Sequence, residues 1–336
     1  MNYPLPTGVP GYLRVAKFWI VRDIGSCWPQ LINNMTSKTV LVTAATGTVG
    51  KLLVRVLLEE QWNVHALVRS QDSEVSQELH ALGVKVFKGD FNDLNSIRTA
   101  AQGVEGVFVN AVPTMGSTME VTHVENVITA CKDAGVNTAV YMSAYMVERR
   151  KEIPGYDPKT SVFENKATAE ERIANAGFKY WTVVRPCTFM DNFFGRISAI
   201  QFPHLQKEHV LVATLKESTK IPLVDSLVIA KFCQAALSDP EQYNEKIIDL
   251  APEALTLPEI AEKVTRNIGI EAKAECLSFE DAKNRGCFPP ILGLWEAFNL
   301  LQPSDTRDQL QEYQIKLNTF DDYLQRNKQS VMAYFG

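Results

Sequence analysis

The stretch "TVLVTAATGTVGKLLVRVLLEE", Thr39 to Glu60, constrains the fold more than any other part of this chain. A β-branched apolar run enters a turn of small residues and passes directly into an amphipathic segment, the order of a strand, a phosphate loop and a helix. In the spacing G-x-x-G-x-x-G, Gly47 and Gly50 fill the second and third places, and Ala44 stands in the first. Gly47 lets backbone approach a pyrophosphate and Gly50 lets the helix pack closely on the strand, while the unpaired N–H groups of the helix's first turn face the phosphates. A methyl at Ala44 suits the tight turn as long as its φ stays negative. A glycine spacing alone is weak, since an ordinary strand–helix turn can show it. Its place after a buried strand at the head of a βα series favours a nucleotide station made of Ala44, Ala45, Thr46, Gly47, Thr48, Val49 and Gly50.

From Thr39 onward, short apolar runs alternate with amphipathic segments, which predicts βαβ units around a parallel sheet. The expected strands are 39–43, 63–68, 84–87, 106–110, 138–143 and 180–186. Helices lie between them, among them "GKLLVRVLLEEQ" and "EVTHVENVITACKDAG", the latter ended by Gly135. The fold class is therefore α/β, a Rossmann-type doubly wound parallel sheet with a smaller C-terminal α/β lobe on the substrate side. Expected boundaries are 35–186 for the nucleotide-binding part and 187–336 for the lobe, whose elements return to the sheet edge. In the lobe, "KIIDLA" reads as a further strand, and "TLPEIAEKVTRNIG" as a helix with Thr256 as N-cap. "SFEDAKNRG" and "TFDDYLQRNKQ" read as helices opened by Ser or Thr. Residues 1–34 carry Pro, Gly and Trp without periodicity or the apolar core of a secretory signal, and are expected to lie outside the core, with Met35 as a candidate natural start.

Later strand ends supply the other stations of a dinucleotide. "HALVRS" puts Arg69 and Ser70, and no acid, where the adenosine ribose lies; an arginine fork there suits a 2′-phosphate, so NADP is expected over NAD. "KGDFND" places Asp90 and Phe91 at the adenine. "VNAVP" places Asn110, Ala111, Val112 and Pro113 beside the cofactor, although Asp, Asn and Pro are also ordinary turn residues. With 34 basic against 39 acidic residues and no basic run longer than Arg149-Arg150-Lys151, neither direct nucleic-acid binding nor a membrane surface is expected. Six cysteines without C-x-x-C or a histidine at ligand spacing predict no metal site and reduced thiols in a cytoplasmic protein.

"VLVTAATGTVG", "LVRS", "GDFND", "YMSAY" and "FENKATAEERIANAGFKYWTVVRPCTFMDNFF" together resemble the NmrA-like family of atypical short-chain dehydrogenase/reductases. "ALSDPEQYNEKIIDLAPEALTLPEIAEKV" extends the resemblance. It implies NADP(H) binding. It also implies that Lys166, on a helix that Ser161 or Thr160 can cap, holds the nicotinamide ribose. Ser143 matches the family's serine and can orient a carbonyl. The short-chain enzymes' proton-donating tyrosine, four residues before the lysine, is Val162 here. Tyr145 and Tyr156 are the nearest substitutes, and either can equally be structural. Phe189 and Asn192 in "RPCTFMDN" fall at the nicotinamide by the same resemblance. Relatives often carry Asp-Ile-Gly where Val228-Ile229-Ala230 stand, and Asp225 or Ser226 can compensate. "CFPPILGLWEAFNLL" is apolar enough for a pocket lining or for plain core. The implied function is reduction of a carbonyl, enone or imine of a small hydrophobic metabolite, in the setting of fungal specialised metabolism. An imine suits the missing tyrosine, because a cationic carbon needs less acid assistance. The alternative is a non-catalytic, redox-sensing transcriptional co-regulator that binds NADP and acts through a protein partner.

Overall fold

The computed structural model describes residues 37–336, so the expected N-terminal extension lies outside the described residues. Lys38–Gly336 form one compact unit. The first half runs β1 (Thr39–Val42), α1 (Thr48–Glu59), β2 (Asn63–Val68), α2 (Glu74–Ala81), β3 (Lys85–Lys88), α3 (Leu94–Ala101), β4 (Gly106–Val109), α4 (Met119–Asp133), β5 (Thr138–Met142), α5 (Val162–Ala174) and β6 (Tyr180–Pro186). The second half adds β7 (Thr188–Phe189), β8 (Val210–Ala213), β9 (Lys220–Val224), β10 (Lys246–Leu250), β11 (Glu253–Thr256) and β12 (Lys273–Cys276).

Seven strands form one sheet in the order β10-β6-β5-β4-β1-β2-β3, every neighbouring pair parallel. The chain starts in the middle, winds out to β3, returns to β4 and winds the other way, so the order reverses beside β1. That reversal opens the crevice in which doubly wound sheets hold ligands. Side chains of a strand alternate between faces. Val40 and Val42 of β1, with Val140 and Met142 of β5, pack under α1 and the helix Ser226–Ser238; Leu41, Ala139 and Tyr141 pack under α3, α4 and α5. Both faces are covered, which is why these strands read as apolar runs.

The strands match the expected ones closely. β3 begins one residue later than read, because the Val84 N–H is spent on the Leu79 carbonyl at 3.1 Å, closing the end of α2. "KIIDLA" becomes β10, the sheet's edge strand beside β6. The rest of the C-terminal half has its own core, in which Phe193 stacks on Phe202 at 4.8 Å and Phe202 on the fully buried Trp295 at 5.6 Å. Two small sheets brace it, β11-β9-β7 and β12-β8. The helix Leu257–Ile268 opens with the expected Thr256 cap, completed by Glu259 in a reciprocal capping box. Ser278 and Thr319 cap the two other helices read from the sequence.

Candidate cofactor and substrate site

Most residues expected to contact the cofactor follow the carboxyl ends of β1, β2, β3, β4 and β5, while Lys166 lies on α5 and Phe189 and Asn192 lie in and just after β7. Gly47 is the N-cap of α1. The turn before it is tighter than expected: Ala44 has φ +48°, in the left-handed region, so the expectation of a negative φ is wrong. The carbonyl of Ala44 must turn to accept the Gly47 N–H at 2.9 Å, and an αL residue achieves this. Buried Thr43 ties this loop to the next station: its hydroxyl donates to the Phe108 carbonyl at 2.9 Å and accepts from the Asn110 N–H at 2.8 Å.

Arg69 and Ser70 follow β2. The Ser70 carbonyl is held by the Ser76 hydroxyl at 2.7 Å, while the Arg69 side chain has no hydrogen bond or ion pair among the described residues. Arg69 lines a cavity with Lys88, Gly89, Asp90 and Asp93. Asp90 accepts the backbone and side-chain N–H groups of Asn92, both at 2.8 Å, and these bonds hold its carboxyl below the usual range. Phe91 lies 5.3 Å from the His123 ring, and its carbonyl is held by Asn126 at 2.8 Å. Ala111 is buried, whereas Val112 and Pro113 are exposed on the lip.

At the end of β5 lies a cluster with unusual electrostatics. Lys166, only 5 % exposed, donates from Nζ to the Met142 carbonyl at 3.1 Å and meets Glu120 Oε1 at 2.6 Å. The ammonium also sits 5.3 Å from the centre of the Tyr141 ring. The other Glu120 oxygen, Oε2, the Tyr141 hydroxyl and the Ser143 hydroxyl are buried without a hydrogen bond. Buried polar groups without partners are expensive, so three such atoms beside this ion pair mark a place suited to further polar contacts. Ser161 stands at the N-cap of α5, but its side chain makes no capping bond.

Past Ser143, the chain lines an apolar cavity of about 170 Å³ with Ala144, Tyr145, Phe163, Cys187, Asn192, Trp295 and Phe298 among its walls. "CFPPILGLWEAFNLL" is thus both core and lining. Tyr145 donates its hydroxyl to the Ser304 carbonyl at 3.1 Å, and burial pushes its pKa up to about 12. Tyr156 is elsewhere: its hydroxyl is bound to Glu164, which also pairs with Arg150. Phe189 is braced by pairing with Val224, and Asn192 reaches the cavity. Asp225 and Ser226 do make bracing contacts. Asp225 caps the helix Ser226–Ser238 and takes a two-pronged bond from Arg326 at 2.6 and 2.8 Å, while Ser226 donates to Asp191 at 2.6 Å.

The sequence profile of the NmrA-like family matches residues 36–324. The chain belongs to the NmrA-like family. Among its relatives, an NAD(P)H azoreductase of Xenophilus azovorans is 28% identical over 246 residues, which is 73% of this chain and 79% of that protein. A triphenylmethane reductase of Citrobacter sp. superimposes with a TM-score of 0.71 at 22% identity, covering 87% of this chain and 99% of that one. NmrA itself, described as a negative transcriptional regulator in complex with NADP, superimposes with a TM-score of 0.65 at 17% identity, covering 86% and 94%.

Where the ordinary short-chain enzymes have a tyrosine four residues before the lysine, this NmrA-like protein has Val162, which opens α5 one turn ahead of Lys166. Sequence reading missed Glu120. A signal was present, since Glu120 is in phase with Val124, Val127 and Cys131 on the buried stripe of α4. It also missed Thr43 and Tyr141, which read as ordinary strand residues. Among the described residues the cysteines are free, no group of side chains is arranged to hold a metal, and no helix is long and apolar enough to cross a membrane.

Proposed function

We propose that this NmrA-like chain is an NADP(H)-dependent oxidoreductase that reduces a carbonyl, enone or imine of a small, largely apolar metabolite, as in specialised-metabolite tailoring. The apolar cavity carries this reading: its walls begin at the residues next to Ser143, and it leaves room for a hydride acceptor. A pure cofactor sensor needs no such space. The residues also fit the cofactor. Gly50 packs without a side chain against the turn, Arg69 has no competing partner, and the Ser143 hydroxyl is buried and unsatisfied. NADPH, when bound, supplies the hydride. The N–H groups of Thr48 and Val49 hold the pyrophosphate, Arg69 the 2′-phosphate and Asp90 the adenine amine.

Lys166 has three N–H bonds; one goes to Met142 and one faces Glu120, which leaves the third for the nicotinamide ribose. Ser143 orients the acceptor atom by its hydroxyl. Tyr145, protonated at neutral pH and on the cavity wall, turns its hydroxyl from the Ser304 carbonyl to the acceptor and gives up its proton as the substrate gains the hydride, to be reprotonated from water afterwards. The reductase names of the azoreductase and the triphenylmethane reductase support the reaction class. Val162 favours a second reading, the NADP-binding co-regulator. The test is loss of nicotinamide absorbance over a panel of quinones, enones and imines, with NADPH and NADH affinities measured by calorimetry. Turnover of one class, lowered in Tyr145→Phe, is expected. Tight NADPH binding without turnover of any class refutes the enzyme in favour of the sensor.

A further inference from the structure

Among the described residues, Arg55, Arg69 and Arg196 are the arginines without a hydrogen bond or ion pair; every other one is held by a carboxylate or a carbonyl. Arg69 faces the 2′-phosphate station. Arg55 and Arg196 face one another's cavity instead, a groove of about 400 Å³ between α1 and the loop 191–197. Thr48, Lys51 and Arg55 line it at helical spacing from one face of α1, so Lys51 adds a third cation. Asp191 is the one acid in the lining, and it is half-buried and accepts the Ser226 hydroxyl. Three cations against one engaged carboxylate leave the groove positive.

Arg55 is seven residues past Thr48, about 10 Å along the helix axis, too far along to serve phosphates seated on the first-turn N–H groups. Asn192 lines this groove and also the apolar cavity. One side chain is therefore common to the walls of an apolar space and a cationic one. We infer that the groove is a second anion site, which takes the carboxylate, sulfonate or phosphate of an amphipathic substrate whose apolar body fills the cavity beside Trp295 and Phe298. This rests on the reductase reading and narrows its substrate to acidic amphiphiles.

The test uses the full chain saturated with NADPH and two fluorescent probes of nearly the same ring system, 8-anilinonaphthalene-1-sulfonate and uncharged N-phenyl-1-naphthylamine. The wild type is expected to bind the sulfonate about tenfold more tightly than the neutral probe, as a charge-assisted contact allows. R55E/R196E is expected to lose that preference while its NADPH affinity stays within about twofold and its affinity for the neutral probe is unchanged. R55Q/R196Q, neutral and milder, gives an intermediate loss and guards against misfolding. Equal binding of the two probes by the wild type, or an undiminished preference in both variants, overturns the inference. So does displacement of the sulfonate by NADPH together with loss of NADPH affinity in R55E/R196E, which assigns the cations to the cofactor's own phosphates. NADPH is titrated first, into the protein without probe and with the sulfonate bound; if the wild type binds no NADPH in that titration, the reductase reading itself falls, independently of the probe comparison.

Discussion

A methyl added at Gly50 and one added at Gly47 meet different surroundings, and the contrast separates packing from phosphate approach. At Gly50 an ideal Cβ falls inside van der Waals contact with the Ala44 carbonyl oxygen and 2.9 Å from Ala45 Cα. Both are backbone atoms of a turn already fixed by the Gly47–Ala44 hydrogen bond, so no flexible side chain can give way. Overpacking costs about 1–3 kcal/mol where neighbours relax, which puts Gly50→Ala at about 3 kcal/mol. At Gly47 the same Cβ lies 3.2 Å from the Ala44 oxygen, and φ is −79°, open to any residue. A shift of a few tenths of an ångström suffices, so Gly47→Ala costs about 1 kcal/mol or less in stability. Its methyl instead stands where the pyrophosphate must approach, and NADPH affinity falls about tenfold or more as the phosphates lose N–H contacts. Urea unfolding reads the first quantity and calorimetry the second. If Gly47→Ala destabilises as much as Gly50→Ala, or leaves NADPH affinity untouched, the division of labour between the two glycines is wrong.

Ala44→Gly relieves a left-handed alanine and, net of glycine's extra unfolded-state entropy, raises stability by about 0.5–1 kcal/mol in the same urea assay. Arg69→Ala is expected to cut NADPH affinity about tenfold or more while leaving NADH affinity within about twofold; equal losses for both cofactors sink the 2′-phosphate role. Burial lifts the Asp249 carboxyl to about 6, with Glu148 and Glu170 adding to the rise and Arg185 opposing it. The folded value lies above that of an unfolded aspartate, so stability is fully present below about pH 4 and declines as pH rises through about 6. Asp249→Asn removes that decline and gains about 1 kcal/mol at pH 7, discounted because a third of the side chain meets solvent, and gains nothing at pH 4. Glu120→Gln leaves the buried Lys166 without its counter-charge and is expected to cost about 3–5 kcal/mol, with much of it recovered in E120Q/K166M. A cost below about 1 kcal/mol for the single variant contradicts the pair's burial.

The doubly wound sheet was legible because its central strands β1, β4 and β5 are buried on both faces and helices such as α1 and α3 carry one apolar stripe, so the period of the sequence is the period of the packing. Thr256 with Glu259 and Ser278 with Asp281 were legible for a local reason: a cap and its partner lie three residues apart. The φ of Ala44 was not, since its sign is set by where its carbonyl must point to meet Gly47, a constraint of the folded turn. Glu120 hid for a related reason. An acid in the first turn of a helix is the commonest of surface features, and only Lys166, 46 residues later, makes this one internal. The choice between Tyr145 and Tyr156 depended on which ring faces the cavity, and the loop between β5 and α5 has no periodicity from which to read it.

The substitution at Val162 has a geometric consequence on the proposed reading. In the short-chain enzymes the lysine and the proton donor share one helix a turn apart, so the ammonium can act directly on the donor's hydroxyl. Here α5 keeps the lysine and turns Phe163 into the cavity, while the available hydroxyl, Tyr145, comes from the chain just past β5 and is anchored to Ser304 on the C-terminal side. Lys166 for its part is bound down by Met142 and Glu120. Lysine and tyrosine are thus tethered to different parts of the fold, and the ammonium is left to hold ribose rather than to acidify a neighbour. A phenol pushed up to about 12 is a reluctant acid. Such a site favours acceptors that need little proton assistance at the moment of hydride transfer, cationic imines and extended enones before simple ketones. The order of rates across those three classes, read with one cofactor and one pH, is therefore the observation that distinguishes this arrangement from a lysine–tyrosine pair.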